Sequence, residues 1–156
     1  MKILFAAAEA LPFIKVGGLG DVAGALPKAL VAKGHDVRVV LPLYSSIRQE
    51  MRDKCRYLKY FYFMHGWRNS YCGIFEAEVD GVIYYLIDNE YYFRRRAPYG
   101  EFDDGERFAY FSRAVLEILP QVDFFPDIIH ANDWHTAAIP VYLDCQYRWR
   151  EGYDYI

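Results

Sequence analysis

From Lys2 to Ala8 the chain is an almost unbroken apolar run that ends at Glu9. A run without alternation predicts a strand buried on both faces, as in a parallel sheet. A loop containing Pro12 and a glycine cluster follows. Apolar residues then recur at Val22, Leu26, Ala29 and Leu30, the stripe of a helix that buries one face. Pro27 inside that stripe predicts a bend, because it removes an amide donor and crowds the preceding turn, and Gly34 predicts the helix end. Asp36–Leu41 reads as a second strand. Strand, glycine loop, helix and strand in this order form a βαβ unit, and hence an α/β fold with a mainly parallel sheet.

The middle of the chain changes character. Cys55–Met64 and Trp67–Val79 are strand-like and rich in Tyr and Phe, and Val82–Ile87 follows a two-residue Asp80-Gly81 turn. That turn is a hairpin signal, so the pattern predicts an antiparallel insertion. Asp88–Gly105 is polar, aromatic and loop-like, with a basic run at Arg94, Arg95 and Arg96. Phe108, Phe111, Val115, Ile118 and Leu119 predict an amphipathic helix, and Asp127–Ala131 a short buried strand. Asn132 and Asp133 are positioned to cap a final helix running to about Tyr147. The chain stops after that helix, where an α/β pattern calls for another strand, so the pattern is that of an incomplete unit.

With 156 residues and 54% hydrophobic side chains, the chain can build one core. Eighteen basic against 21 acidic side chains leave no basic field to neutralise phosphates, which argues against nucleic acid as a partner. Aromatics make up 19% of the chain, with 15 tyrosines. Rings with an apolar face and a hydroxyl suit carbohydrate surfaces, but also suit strands and cores. Cys55, Cys72 and Cys145 are widely spaced and include no Cys-x-x-Cys pair, which argues against a disulfide scaffold or zinc site and for a reducing compartment. The first apolar run is too short for a signal or membrane segment, which places the protein in the cytoplasm, away from any membrane.

Three segments carry candidate chemistry. In Lys15-Val16-Gly17-Gly18-Leu19-Gly20-Asp21, the glycines allow close backbone approach, the following helix offers free amides and a positive dipole end, and Lys15 adds a full charge. The combination suits a diphosphate, although a glycine turn beside a solvated lysine would look the same. It matches neither the dinucleotide fingerprint nor the P-loop. In His130-Ala131-Asn132-Asp133-Trp134-His135-Thr136, the two histidines straddle a strand-to-helix turn at the carboxyl end of a strand, where open α/β sheets bind ligands. His130 and His135 there suit hydrogen bonds to sugar hydroxyls, while capping explains Asp133. The third segment, Asp103-Asp104-Gly105-Glu106-Arg107-Phe108, puts carboxylates at a helix start, the usual place for capping and dipole partners. The arginine run is a solvated loop or an anion contact. No serine or cysteine has an organised acid–base context, and no ligand set for a metal stands out.

These segments resemble the bacterial and plant glycogen/starch synthases. The resemblance lies in Lys2–Gly24, Asp103–Leu119 and Asp127–Pro140, in order and spacing; Asp104 stands where the family usually has Asn. It implies the GT-B architecture, two Rossmann-like domains facing across a cleft, with residues 1–156 an incomplete first domain and the second domain absent from this chain. It implies retaining transfer of glucose from ADP-glucose to the non-reducing end of an α-1,4-glucan, without a cofactor. Carried over by motif, Lys15, Gly17 and Gly18 would contact the donor diphosphate, with Asp21 supporting the loop or the donor. His130 would hydrogen-bond the glucose, with Asp103 nearby as a polar cleft residue and catalytic candidate. Another GT-B sugar transferase, or a glucan-binding module built on the aromatic insertion, are the competing readings.

Overall fold

The computed structural model describes all residues, 1–156. Its centre is a six-stranded sheet in the order β3-β4-β5-β2-β1-β6. The strands are β1 (Lys2–Ala6), β2 (Asp36–Pro42), β3 (Arg56–His65), β4 (Arg68–Val79), β5 (Val82–Asp88) and β6 (Ile128–Ala131). β1 pairs in parallel with both β2 and β6, and β2 in parallel with β5. β4 runs antiparallel to both β3 and β5. The aromatic hairpins are therefore no separate layer. They continue the parallel sheet sideways, because β5 takes its place beside β2. The Asp80-Gly81 turn has positive φ at both residues (52° and 77°), the primed geometry that matches strand twist.

Helix α1 (Gly18–Ala32) packs on β2 and β5. It ends where the sequence indicates: the Gly34 amide bonds to Val31 O and the His35 amide to Leu30 O, with Gly34 at φ 86°. This pair of bonds is the Schellman arrangement. The buried face differs from expectation. Gly20, Ala23, Gly24 and Pro27 face inward, while Val22, Leu26 and Ala29 are exposed and Leu30 is half-buried. The cause is the segment before the helix, which crosses it closely. A Cβ on Gly24 would lie 2.8 Å from Leu11 Cβ, and one on Gly20 3.0 Å from Lys15 Cβ and Cγ. Only the small residues admit that crossing, so the large apolar ones are left outside. Pro27 lies inside an unbroken helix.

α4 (Asp104–Glu117) covers the opposite face. The Tyr84 hydroxyl donates to Leu11 O on the α1 side, and by strand alternation Tyr84 shares its face with Ala77, Phe75, Gly73 and Tyr71. Phe63 instead stacks on Tyr110 of α4. The layers are thus helix, sheet, helix. Two single-turn helices add to the expected elements: α2 (Gln49–Arg52) lies between β2 and β3, and α3 (Glu90–Phe93) breaks the segment read as loop-like, with Asn89 capping it by accepting from the Tyr92 amide. The expected final helix is three short pieces: a 3-10 turn (Trp134–Thr136), α5 (Ala138–Tyr142) and a π turn (Leu143–Tyr147). Pro140 falls in the first turn of α5, where an amide has no helical partner to lose. No helix is long and apolar enough to cross a membrane.

Candidate active site

The parallel strands β1 and β6 end side by side, and three chain segments meet beyond their carboxyl ends. The first is the β1-to-α1 connection. Glu9, just past β1, is 1% exposed, and its carboxylate accepts hydrogen bonds from the Val16 amide and, at 3.0 Å, the Gly17 amide. Those two amides are therefore already in use. The amides of Gly18, Leu19 and Gly20, in the first turn of α1, have no partner within the helix, and Gly17 at the N-cap has no side chain to offer them; Glu9 reaches no further along the chain than the Gly17 amide. A Cβ on Gly18 would meet nothing within 4 Å, so open space lies in front of it. Lys15 lays its stem across Gly20 and reaches Asp21 at 2.7 Å; both side chains are about half exposed (44% and 54%). An ammonium held by one exposed carboxylate is available to a stronger anion, because an exposed pair is weak.

The second segment is the 94–100 loop. The Tyr99 hydroxyl donates to Glu9 at 3.4 Å, and burial with the Glu9 charge pushes its phenol up. This loop is pinned from below by Arg107, whose side chain is fully buried. Arg107 donates to Tyr92 O at 2.7 Å, Pro98 O at 2.9 Å and Asp104 at 2.5 Å. Asp104 also accepts from the Gly100 amide at 2.6 Å. Asp103, next to it, is gripped by Arg95 through two bonds of 3.1 and 2.8 Å. The carboxylates at the start of α4 thus hold a loop instead of capping the helix; of the arginine run, Arg95 has a largely buried carboxylate partner in Asp103, while Arg94 meets Glu90 at 3.4 Å on the surface.

The third segment follows β6. Asn132 ties it to β1 by donating to Ala6 O, and Asp133, at φ 65°, accepts from the Trp134 amide. The two histidines separate here. His130 is exposed on β6, stacked on Phe5 at 4.8 Å. His135 is 2% exposed, wrapped by Trp134 (3.9 Å), Tyr99 and Phe108 (both 4.7 Å), and neither ring nitrogen has a hydrogen-bond partner. It is packed into an aromatic wall at the carboxyl end of β6. Burial pushes its imidazole down, with Asp133, Glu9 and Asp104 opposing that shift and Arg107 adding to it.

An unfolded histidine protonates near pH 6.5. As pH falls through that value the unfolded chain binds a proton that folded His135 resists, so stability is lost on acidification. His135→Phe keeps a ring in the wall and is expected to flatten the fall in denaturant midpoint between about pH 7 and 5.5. Equal slopes in both proteins would assign the loss elsewhere, for instance to His65, which burial also pushes down.

Glu9 and Tyr99 are the residues that sequence reasoning missed. Glu9 was visible as a carboxylate closing an apolar strand, but nothing in the spacing shows that it captures amides seven and eight residues on. Tyr99 carries no pattern at all. No group of three or more His, Cys, Asp or Glu side chains converges as a metal site.

Comparison with known proteins decides the family. Residues 2–156 match the starch synthase catalytic domain family. The chain belongs to that family. It is 60% identical over 147 residues to a glycogen synthase of Clostridium botulinum (strain Alaska E43 / Type E3), covering 94% of this chain and 31% of that protein. A glycogen synthase of Bacillus cereus (strain B4264) is 55% identical over all 156 residues, which make up 33% of its length. The chain thus spans about a third of the curated starch synthase family relatives it matches. The catalytic domain of starch synthase IV from Arabidopsis thaliana, solved bound to ADP and acarbose, superposes with a TM-score of 0.84 at 38% identity, over 98% of this chain and 31% of that one. The mixed α/β fold read from the sequence is therefore the fold of this family.

Proposed function

We propose that the chain is the N-terminal part of a glycogen/starch synthase. In this reading it forms the first Rossmann-like half of a GT-B pair, and the whole enzyme passes glucose from ADP-glucose to the non-reducing end of an α-1,4-glucan with retention. The observation that carries the reading is the free amino end of α1 with the Lys15 ammonium beside it and open space before Gly18. A helix N-terminus with a mobile cation is a diphosphate cradle. The ADP named with the Arabidopsis relative, and the glycogen synthase names of the bacterial ones, supply the nucleotide and the product class.

The chemistry assigned to these residues is positioning and charge stabilisation. As the bond from glucose C1 to the diphosphate oxygen breaks, its electron pair stays on that oxygen. Lys15 and the amides of Gly18, Leu19 and Gly20 stabilise the growing charge more in the transition state than in the ground state. The acceptor hydroxyl oxygen forms the new bond to C1, and its proton passes to a phosphate oxygen of the departing ADP. Glu9 fixes the backbone at Val16 and Gly17, so Gly17 contributes geometry while Gly18 contributes an amide. Asp21 holds Lys15 until the donor arrives. His130, exposed at the carboxyl end of β6, is the imidazole placed to meet sugar hydroxyls. Asp103 acts at one remove, through Arg95 and the loop that carries Tyr99.

The test follows labelled glucose from ADP-glucose or UDP-glucose into glycogen, using the full-length protein that carries this segment and the 156-residue chain alone. Transfer from ADP-glucose by the full-length protein and none by the chain alone is expected. Turnover by the isolated chain would refute the division of the site between two halves. Transfer from neither donor would refute the synthase reading.

A further inference from the structure

Three elements that are remote in the chain each turn a pair of side chains toward one point at the tip of the β3–β4 hairpin. His65 and Arg68 are the last partners of the ladder, opposite each other across the Gly66-Trp67 turn, so they share a face of the hairpin. Glu106 and Arg113 lie two turns apart on α4, and Tyr142 and Gln146 one turn apart in the last helical segment. Those spacings keep each pair on one side of its helix. Together with Trp67 they line a pocket of about 360 Å³, room enough for a small molecule. None of them belongs to the three segments that meet beyond β1 and β6.

Arg113 is the informative member. Its side chain is only 19% exposed, yet it bonds through Nε alone, to the Tyr147 hydroxyl at 3.2 Å, with Glu117 at 4.0 Å. Nη1 and Nη2 have no partner in the chain, although an arginine covered to this degree usually spends its fork on an anion. Glu117 is taken by the Tyr147 hydroxyl at 2.5 Å and Arg150 at 3.5 Å. Arg68 brings a second guanidinium, paired with Glu106 at 2.8 Å, and that carboxylate also accepts from the Tyr92 hydroxyl at 2.9 Å. Two guanidinium groups thus face one carboxylate that is already shared, which leaves the pocket a positive surplus.

We propose that this pocket binds the phosphate group of a small monoester, with Arg113 as its main contact. Donors come from three directions: the Arg113 fork, the Gln146 amide and the His65 imidazole. That disposition suits a tetrahedral oxyanion better than a planar carboxylate, which one fork already satisfies. Trp67, 83% exposed at the rim, and Tyr142 offer ring faces to the body of the ester. Burial pushes the His65 imidazole down, with Glu106 opposing that shift and Arg113 and Arg68 adding to it. The other groups against the ring, Tyr92 and Tyr110, are phenols that burial keeps neutral. A bound anion favours the charged imidazole, so binding draws a proton onto His65. The ligand class follows from these donors and is independent of the synthase reading.

The test titrates phenyl phosphate, inorganic phosphate and phenylacetate into the 156-residue chain by calorimetry, with Lys15→Ala in every protein so that its ammonium draws no anion. Phenyl phosphate is expected to bind more tightly than inorganic phosphate, and about tenfold more tightly than phenylacetate. Gln146 is exposed, so Gln146→Glu spares the fold while placing a carboxylate at the rim. It is expected to weaken phenyl phosphate about tenfold, and Arg113→Gln at least as much, with circular dichroism checking that both remain folded. By NMR the His65 imidazole is expected to titrate at higher pH when phenyl phosphate is present, and His35 at an unchanged pH. Absence of binding at millimolar ligand, affinity unchanged in both variants, or a His65 titration indifferent to the ligand would each overturn the proposal. So would phenylacetate matching phenyl phosphate, which would make the site a carboxylate site, or inorganic phosphate matching it, which would make free phosphate the ligand.

Discussion

Arg107→Ala is expected to cost about 3–5 kcal/mol of stability, the usual penalty for removing one partner from a buried charged network. The guanidinium is fully buried and is shared by two backbone carbonyls and Asp104. Its loss leaves Tyr92 O, Pro98 O and one carboxylate without that donor in a place that water reaches poorly. Arg107→Lys keeps the charge but cannot reach three acceptors in different directions, so it is expected to recover only part of the loss. Denaturant midpoints of the three proteins measure this, and limited proteolysis of residues 94–100 reports whether the loop is released. A midpoint within about 0.5 kcal/mol of wild type in Arg107→Ala would show that the network is dispensable.

Lys15→Ala is expected to lower glucose transfer by the full-length protein about 10²–10³-fold, the range for removing one preorganised donor from a developing negative charge. Stability is expected to stay almost unchanged, because the Lys15–Asp21 pair is exposed on both sides. That contrast separates the two variants: one damages the frame, the other the chemistry. The loss is expected in kcat more than in KM, since the charge that Lys15 meets is largest as the bond breaks. Undiminished transfer in Lys15→Ala would remove the ammonium from the mechanism and leave the helix end to act alone.

Much of the frame was legible because its signals are local. A continuous apolar run, a two-residue Asp-Gly turn and a glycine after a helix each act within a few residues, and β1, the β4–β5 turn and the end of α1 follow them. What stayed hidden depends on approach between distant segments. The inward face of α1 was misjudged because the Leu11–Lys15 segment crosses it closely, and only that crossing makes Gly20 and Gly24 more buried than Val22 and Leu26. The site shows the same division. Lys15 and the glycines stand out in the sequence as candidates by their spacing, whereas Glu9, Tyr99 and Arg107 adjoin them through bonds to amides, a carboxylate and carbonyls whose positions exist only after folding. His135 looked like a partner of His130 by sequence, yet a turn at Asp133 sends one ring to solvent and the other into an aromatic wall.

The two borders of the sheet are unlike, and this sets the direction in which it can grow. β3, at one border, carries Arg56 and Lys59 and has a register shift between Tyr57 and Lys59. Charges and bulges of this kind discourage edge-to-edge addition. β6, at the other border, has four residues and no carboxylate, lysine or arginine, and an apolar groove runs beside it past Ile128, Ile139, Pro140 and Leu143. A newcomer strand would find open backbone groups and a greasy seat there, and a guarded margin on the far side. Within this chain the contrast favours strand addition beside β6 over addition beside β3.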